Sequence, residues 1–463
     1  MQVYTIPSIN THIYPFLTVD TSNNIPQKYI SQSLSFFLQD IKEKIHIHEK
    51  EWDNYKKYTN AYEYIHTHNP YNKRSVSKYK PLSRSYFKMI ELIHEFQLVS
   101  FGCYGNPSLD NTEHGDVFSC SNHNVFSKTS DLELLEYKSE YTLTEKKMTV
   151  RTPIRTFHLA EGPGGFIEAV VNLRKNPNDT YIGMTLHDHK NDGTIPTWKK
   201  SDYFLLATPN IQIENGADGT GDILSISNFE YCYHTYRSSM DLITADGGFD
   251  FSTDFNNQEL QIVELLFAQI AFALVMQKPG GSFVLKIFDC FYNSTVDLLA
   301  LLSSFYKTVY ITKPQTSRAG NSEKYVVCKC FSSDSSVEDF YPYLYNVFLQ
   351  LPDRSPSITQ MSEEQPPSTK PESGNNLPSP VIYVCRFLSI SIPIYLEIKI
   401  EEYNSGFGFY QIENIHNTIT LIERHTKPDR IDNLIHKNIG KCIEWCIRYN
   451  IPYNTFLFHN TFT

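Results

Sequence analysis

Four ionisable residues stand out because each lies within an apolar element or at its end. Asp246 ends the run LITAD before two glycines, Lys286 lies inside GGSFVLKIF, and Glu323 directly precedes KYVVCKCF. Lys88 lies beside the helical apolar stripe of SYFKMIELIHEF. An unpaired ammonium group is costly to bury, so a lysine in an apolar strand needs a partner. Two lysines and two acids would form a compact, charge-compensated site, although each residue alone also fits a plain turn or strand edge.

A glycine-rich turn provides a second candidate site. Residues 155–166, RTFHLAEGPGGF, read as a strand, a turn and the start of a helix. Such a turn lets the backbone approach a ligand, and the helix starting near Phe166 presents unpaired N–H groups at its positive end. A carboxylate or a ribose would fit there. The turn lacks the G-x-G-x-x-G spacing of dinucleotide sites, so a purely structural turn is an equally good interpretation.

The elements around these residues alternate between strand and helix patterns. Strands are predicted at Thr180–Leu186, Met240–Ala245, Ser282–Phe288, Thr308–Thr312 and Lys324–Phe331, and helices at Glu259–Met276 and Ser294–Ser304. This alternation predicts an α/β domain with a doubly wound, mostly parallel sheet. Ligands of such sheets bind at the carboxyl ends of the strands, where Asp246 and the glycine turn fall.

Composition narrows the class of protein. The 463 residues are 41% hydrophobic and 14% aromatic, enough for a large core and more than one folding unit. The net charge of −10 argues against indiscriminate coating of nucleic acid, so any RNA contact must be focused. No apolar run approaches the roughly 20 residues of a membrane span, and no secretory signal is evident. Nine cysteines without C-x-x-C pairs predict reduced thiols in an intracellular protein.

Seven segments, taken in order, resemble the FtsJ-like ribose 2′-O-methyltransferases, and most of all the cap-specific mRNA enzymes of eukaryotes and large cytoplasmic DNA viruses. They are SYFKMIELIHEF, AEGPGGFIEAV, GMTL, GADGTGDI, LITADGGFD, GGSFVLKIFD and KPQTSRAGNSEKYVVCKCF. The resemblance implies a Rossmann-like S-adenosylmethionine-dependent methyltransferase fold, with S-adenosyl-L-methionine as cofactor and RNA, capped mRNA in particular, as partner. Other capping or transcription proteins are further implied partners. The expected location is the cytoplasm, a viral factory or the virion for a viral protein, and the nucleus for a cellular one.

The resemblance also implies site residues. The family's Lys-Asp-Lys-Glu tetrad falls on Lys88, Asp246, Lys286 and Glu323. The cofactor loop falls on Ala160, Glu161, Gly162, Pro163, Gly164, Gly165 and Phe166, and the segment that meets the adenine on Asp222 and Ile223. RNA contacts are implied for Arg318, Asn321, Ser322 and Glu323. The departure from the family pattern is the long interval between Lys88 and the glycine turn.

The chemistry implied by this resemblance assigns each tetrad residue a role. A ribose 2′-hydroxyl is a poor nucleophile near neutral pH, so the enzyme must align it with the methyl group and assist proton loss. Lys286 is the candidate base, Asp246 would hold it near the attacking oxygen, and Lys88 with Glu323 would position the ribose. No metal is required, because no phosphorus or carbonyl centre needs a Lewis acid.

The expected domain boundaries follow composition and the extent of the resemblance. Residues 1–82 form an N-terminal covering and RNA-contact region, with a helix near Ser33–Tyr64 and a basic, aromatic stretch at Lys73–Arg84. Residues 83–331 form the methyltransferase domain with a loop-rich insertion at 97–148, and 332–380 a connecting segment and Pro/Ser-rich linker. Residues 381–463 form a small α+β accessory domain, with strand-like Tyr410–Ile422 and helical Ile431–Tyr449.

Two alternatives to a cap enzyme stay open at this stage. The first is a 2′-O-methyltransferase of ribosomal or transfer RNA. The second is a non-catalytic RNA-binding scaffold that retains the fold, since a fold alone does not establish activity. The basic stretch likewise has a plain interpretation as a solvated face.

Overall fold

A computed structural model describes residues 1–99, 152–187, 197–248, 257–352, 381–424 and 428–454. Nearly all of the predicted insertion at 97–148 and of the Pro/Ser-rich linker lies outside these residues. The described residues before 100 and after 152 belong to one compact unit. The domain boundaries expected from the sequence stay predictions.

An eight-stranded sheet forms the centre of this unit. Its strands are β1 (Val3–Ile6), β3 (Arg155–Leu159), β4 (Thr180–Met184), β5 (Ile211–Glu214), β6 (Met240–Ala245), β7 (Gln277–Ile287), β8 (Tyr306–Thr312) and β9 (Lys324–Phe331). They lie in the order β1-β8-β9-β7-β6-β3-β4-β5. The five neighbouring strands β7, β6, β3, β4 and β5 are parallel to one another. Strand β9 is antiparallel to both of its neighbours, β7 and β8. The predicted α/β fold with a mostly parallel sheet is confirmed.

Helices cover both faces of the sheet. They are α1 (Gln32–Ile47), α2 (Glu49–Thr59), α3 (Ser85–Phe96), α4 (Gly165–Arg174), α5 (Asp202–Ala207), α6 (Ile226–Tyr236), α7 (Gln258–Met276), α8 (Asn293–Phe305), α9 (Val337–Gln350), α10 (Ile394–Glu423) and α11 (Pro428–Arg448). In β7, Phe283 and Leu285 join the core under α7 and α8, whereas Val284 joins the core under α3 and α4. Because side chains alternate along a strand, Lys286 lies on the same face as Val284, towards α3.

Helix α7 is long and apolar enough to span a bilayer by length and composition, contrary to the expectation that no run approaches that length. Its apolar window is 94% buried inside the fold. A helix that is apolar on all sides and enclosed by protein is a core helix. We therefore assign α7 to the core.

The sequence interpretation of Tyr410–Ile422 as further strands is wrong, because these residues lie within the 30-residue helix α10. The misleading signal is the β-branched content of the segment itself, which is typical of strands. Helix α10 also contains Gly406 and Gly408, which are unfavourable in helix interiors. A Cβ atom on Gly408 would lie 2.8 Å from Leu34 Cδ2, and one on Gly406 would overlap the Tyr4 hydroxyl. The glycines therefore allow α1 and β1 to pack closely on α10, a tertiary reason that local propensity does not contain.

A second, two-stranded sheet joins the N-terminal region to the segment that follows the linker. Strand β2 (Leu17–Ser22) pairs antiparallel with β10 (Tyr383–Leu388). Asp297 of α8, whose side chain is fully buried, accepts hydrogen bonds from Arg386 Nε at 2.8 Å and from the amides of Phe387 and Leu388. This carboxylate therefore anchors the chain after the linker to the central layer.

We predict that Arg386→Met destabilises the protein by about 3 kcal/mol, because it leaves the buried Asp297 carboxylate with only two backbone amide donors. The measurement is the free energy of unfolding in urea, followed by circular dichroism. As a control, Arg237→Met removes an ion pair with Glu338 in which both side chains are about half exposed. That change should cost at most about 1 kcal/mol. Equal losses for the two variants would contradict the anchoring role.

Candidate active site

The candidate site lies where parallel strands end together. Leu159 of β3 pairs in register with Met184 of β4 and with Ala245 of β6, and Ala245 pairs with Leu285 of β7. The chain proceeds outwards from β3 to β4 and β5, and then crosses to β6 on the other side. This reversal between β3 and β6 is the switch point where open α/β sheets bind ligands. The loops that carry Glu161 and Asp246 meet there.

The glycine turn lies where the sequence predicts, but a protein side chain binds the backbone amides at the start of the helix that follows it. The Gly162–Pro163 peptide is cis, and Gly164 has φ 108°, a conformation that favours glycine. Glu161 Oε1 accepts hydrogen bonds from the Phe166 amide at 2.6 Å and the Ile167 amide at 2.9 Å. The expectation that these helix-terminal N–H groups are free for a ligand is therefore wrong. Burial raises the pKa of Glu161 well above its usual value, although the two amide bonds oppose this effect.

The loop after β5 contacts the loop after β4 and brings Asp222 and Ile223 to the same end of the sheet. The amide of His187 donates to Thr220 O at 2.8 Å, and a Cβ atom on Gly221 would lie 2.0 Å from Thr185 O. Asp222 Oδ1 accepts from the Leu224 amide at 2.8 Å, and Ile223 is buried. An acidic residue beside an apolar one, next to a turn without bulky side chains, suits a ligand that carries a nucleoside.

The first lysine–acid pair joins helix α3 to the start of β9. Lys88 Nζ lies 2.7 Å from Glu323 Oε1 and 2.9 Å from Glu323 Oε2. Both side chains are nearly buried, at 12% and 13% exposure. Lys88 and Glu323 are far apart in the sequence, so residue spacing alone could not predict the contact that the structure shows.

The second pair lies on two adjacent strand ends. Lys286 Nζ of β7 is 3.3 Å from Asp246 Oδ1 and donates a hydrogen bond to the backbone oxygen of Asp246 at 2.7 Å. Asp246 begins the loop after β6, and Gly248 of that loop approaches the Lys286 amine. Each lysine of the tetrad is thus charge-compensated, as the sequence predicted.

Tyr325 connects the two pairs. Its hydroxyl lies 3.2 Å from Asp246 Oδ1 and 3.2 Å from Glu323 Oε1. Tyr325 of β9 is the cross-strand partner of Lys286, so the two side chains share one face of the sheet. Burial and the two neighbouring carboxylates raise the pKa of Tyr325 well above its usual value. The phenol therefore stays a hydrogen-bond donor in the neutral pH range.

The electrostatic balance keeps Glu323 ionised. Burial raises its pKa, but the ammonium groups of Lys88, Lys286 and Lys313 outweigh burial and lower the pKa below its usual value. Lys313 is itself buried and donates to Asn321 O, Asn321 Oδ1 and Glu323 O at 2.7–2.8 Å. Burial also lowers the pKa of Lys313 well below its usual value. A carboxylate and several lysines thus share one enclosed region.

The loop before Glu323 carries the predicted RNA-contact residues, and the structure gives each of them a protein partner. Arg318 forms two hydrogen bonds with Glu63, at 3.1 Å through Nε and 2.9 Å through Nη2. Asn321 accepts from Lys313, and Ser322 Oγ accepts from Lys42 Nζ at 3.1 Å. Their predicted RNA contacts stay predictions, and the protein fixes the loop that carries them.

The basic, aromatic stretch is only partly available to a ligand. Lys73, Arg74, Lys78 and Lys80 are exposed, but the Tyr86 side chain is buried. Tyr79 is half-buried and donates through its hydroxyl to Glu168 at 2.6 Å. Tyr86, which follows this stretch, therefore cannot stack on RNA bases, and the role of the four exposed cations in RNA contact stays a prediction.

Sequence reasoning missed Tyr325, Lys313 and Lys42. Lys313 follows an apolar strand, so the argument that singled out Lys286 would have found it. Tyr325 depends on the register between β7 and β9, and Lys42 on the packing of α1, which no local pattern contains. Among the residues that the structure describes, no group of three or more histidine, cysteine, aspartate or glutamate side chains could hold a metal ion.

Comparison with known proteins agrees with this geometry. A family model described as FtsJ-like methyltransferase matches residues 132–331. The chain is 36% identical over 170 residues to cap-specific mRNA (nucleoside-2′-O-)-methyltransferase 1 of Trypanosoma brucei brucei. The aligned residues cover 36% of this chain and 44% of that protein. It is 36% identical over 198 residues to the mouse protein of the same name, and the aligned residues cover 41% of this chain and 23% of the mouse protein.

The protein of that name from Trypanosoma cruzi is 33% identical over 206 residues, which cover 43% of this chain and 55% of that protein. The chain thus spans about half or less of the length of these relatives. Lys88 lies before the matched family segment, and three tetrad residues lie within it. The family match, the strand order and the site geometry described above agree that residues 132–331 of this chain are similar to the FtsJ-like methyltransferase family.

Proposed function

We propose that this protein is an S-adenosylmethionine-dependent RNA methyltransferase that modifies a ribose 2′-hydroxyl, and that its substrate is a cap-proximal nucleotide of mRNA. The observation that carries the proposal is the meeting of Lys88, Asp246, Lys286 and Glu323 at the carboxyl ends of the strands. The relatives named as cap-specific mRNA enzymes support the choice of substrate.

The switch point between β3 and β6 is the place where the cofactor would bind. Residues 160–166 and the pair Asp222–Ile223 would hold S-adenosylmethionine, since the turn at Gly164 has a backbone conformation that excludes bulk. Glu161 keeps the turn rigid through its two amide bonds. When bound, the cofactor supplies a methyl group on a sulfonium, which is already activated for transfer.

Lys286 acts as the base of this reaction. In its neutral form, the amine would accept the proton of the 2′-hydroxyl as the ribose oxygen takes the methyl group, whose bond to the sulfonium sulfur breaks. Asp246 holds the amine in place through its backbone oxygen and its carboxylate. Alignment of the two reacting atoms supplies much of the rate, because it converts an encounter into an intramolecular step.

Lys88 and Glu323 position the ribose. Their pairing at 2.7 Å fixes both side chains, and Glu323 stays an acceptor because the surrounding lysines lower its pKa. An ionised carboxylate beside the crevice accepts hydrogen bonds from ribose hydroxyl groups. Tyr325 fixes the separation between this pair and the Asp246–Lys286 pair.

The function is tested by transfer of labelled methyl from S-adenosylmethionine to capped RNA, uncapped RNA and ribosomal RNA of matched length. We expect transfer to capped RNA, with the label mapping to a 2′-oxygen near the cap. Preference for ribosomal RNA would replace the proposed substrate. Lack of transfer to every RNA by protein that binds both RNA and cofactor would indicate a non-catalytic scaffold.

We predict that Lys286→Met and Lys286→Arg both lower the single-turnover rate about a hundredfold to ten-thousandfold, the usual contribution of a positioned base. Methionine removes the amine, and a guanidinium stays charged and cannot accept the proton. Affinity for S-adenosylmethionine, measured by calorimetry, should change little. Lys278→Met is the matched control, because Lys278 lies in the same strand and is paired with Asp241. Near-normal rates in both Lys286 variants would remove Lys286 from the mechanism.

The exposed cations Lys73, Arg74, Lys78 and Lys80 should hold phosphates of the bound RNA. Replacing all four with glutamine should flatten the slope of log affinity against log salt by about 0.7 for each phosphate of single-stranded RNA that the variant no longer neutralises. Fluorescence anisotropy across a salt series measures this slope. Lys175→Gln combined with Lys307→Gln provides a control with exposed lysines elsewhere. A slope unchanged by the fourfold variant would place the RNA in a different groove.

A further inference from the structure

Gln269 is a polar residue in the middle of the apolar helix α7, and it is completely buried. A buried amide costs free energy unless its hydrogen bonds are made. Gln269 Nε2 donates to Leu265 O of its own helix at 3.1 Å, and Oε1 accepts from the Gly247 amide at 2.9 Å. The Oε1 atom of Gln269 therefore binds the backbone of the loop after β6.

The loop after β6 contains Asp246. Gln269 contacts the peptide group between Asp246 and Gly247, whose oxygen already accepts a hydrogen bond from Lys286. The N–H of Gly247 and the C=O of Asp246 belong to one planar peptide unit. Its oxygen accepts from Lys286 Nζ at 2.7 Å, while its N–H donates to Gln269. Because the unit is rigid and its two polar groups point in opposite directions, fixing the N–H also aims the carbonyl at the Lys286 amine.

The close approach of Gln269 explains the glycine at position 247. A Cβ atom on Gly247 would lie 2.6 Å from Gln269 Oε1 and 3.2 Å from Ala160 Cβ. Both distances are shorter than ordinary van der Waals contact. Any side chain at 247 would displace either the glutamine or the loop that begins the cofactor turn.

We propose that Gln269 is a positioning residue for methyl transfer, acting on Lys286 through the Asp246–Gly247 peptide. The inference rests on the proposed function above and assigns one part of that site. The carbonyl occupies one N–H of the Lys286 amine and so sets the direction in which the amine meets the ribose hydroxyl. Without Gln269, the peptide loses its outer hydrogen bond and the amine loses its fixed orientation.

The test compares Gln269→Met with a matched control, Gln277→Met. Gln277 is also completely buried, and it donates to Met240 O at 2.7 Å and accepts from the Tyr306 hydroxyl at 3.1 Å. It lies at the amino end of β7, away from Lys286. Both variants lose a buried amide, so we expect similar shifts of the urea midpoint. Only Gln269→Met should lower the single-turnover rate, by about tenfold to a hundredfold, with unchanged affinity for S-adenosylmethionine.

A conservative variant and a spectroscopic readout distinguish positioning from a general loss of structure. Gln269→Glu keeps an acceptor for the Gly247 amide, and its protonated form also keeps the donor to Leu265. Its rate should therefore recover as the pH falls, relative to the wild-type profile. The ¹³Cε resonance of Lys286, assigned with Lys286→Arg, should move in Gln269→Met and stay in place in Gln277→Met.

Two results would overturn the inference: equal rates in Gln269→Met and Gln277→Met, or an unmoved Lys286 resonance in Gln269→Met. A failure of the proposed function has a different signature, because the wild-type protein itself would then transfer no methyl to any RNA. In that case the Lys286 resonance alone decides whether Gln269 orients the amine.

Discussion

The ionised carboxylate of Glu323 imposes the central constraint on this structure. A buried carboxylate tends to take up a proton, and only close positive charges keep it ionised. Lys88, Lys286 and Lys313 supply those charges from a helix and from two separate strand ends. Helix α3, strand β7 and the end of β8 must therefore converge within a few ångströms. The sheet order, with β9 between β7 and β8, makes this convergence possible.

The loop that leads to Glu323 is held from outside the family-matched segment. Glu91 of α3 accepts from the amides of Gln315 and Thr316 at 2.7 and 2.8 Å. Asn60 accepts from the Ala319 amide, and Gln411 of α10 donates to Gly320 O at 3.1 Å. Because a loop fixed at many backbone points loses little further entropy on binding, these contacts preform the surface on which the proposed RNA contacts would lie. The flanking helices thus help to fix the loop of the candidate site.

The predictable part of the structure was the part set by local pattern. Helix α3 and strands β6 and β9 have the bounds that periodicity indicated, since their apolar faces are regular. The tetrad was identified by residue type and resemblance, and its pairing followed from charge compensation. The helix at Tyr410–Ile422 was missed because its β-branched residues resemble a strand pattern, whereas tertiary packing buries one face of the segment as part of α10. The capture of the helix-terminal amides by Glu161 was missed because it depends on one side-chain rotamer.

The pairing of β2 with β10 has a consequence for synthesis. Strand β2 is synthesised before the family-matched segment, and its partner follows only after that segment and the linker have been made. Until then, β2 has an open edge and the buried Asp297 lacks Arg386 and the two amides that it receives from β10. Pairing two strands across such a long sequence separation costs chain entropy, so the pairing forms slowly. A nascent chain stopped before β10 would therefore expose an unpaired strand edge, which favours association with other chains.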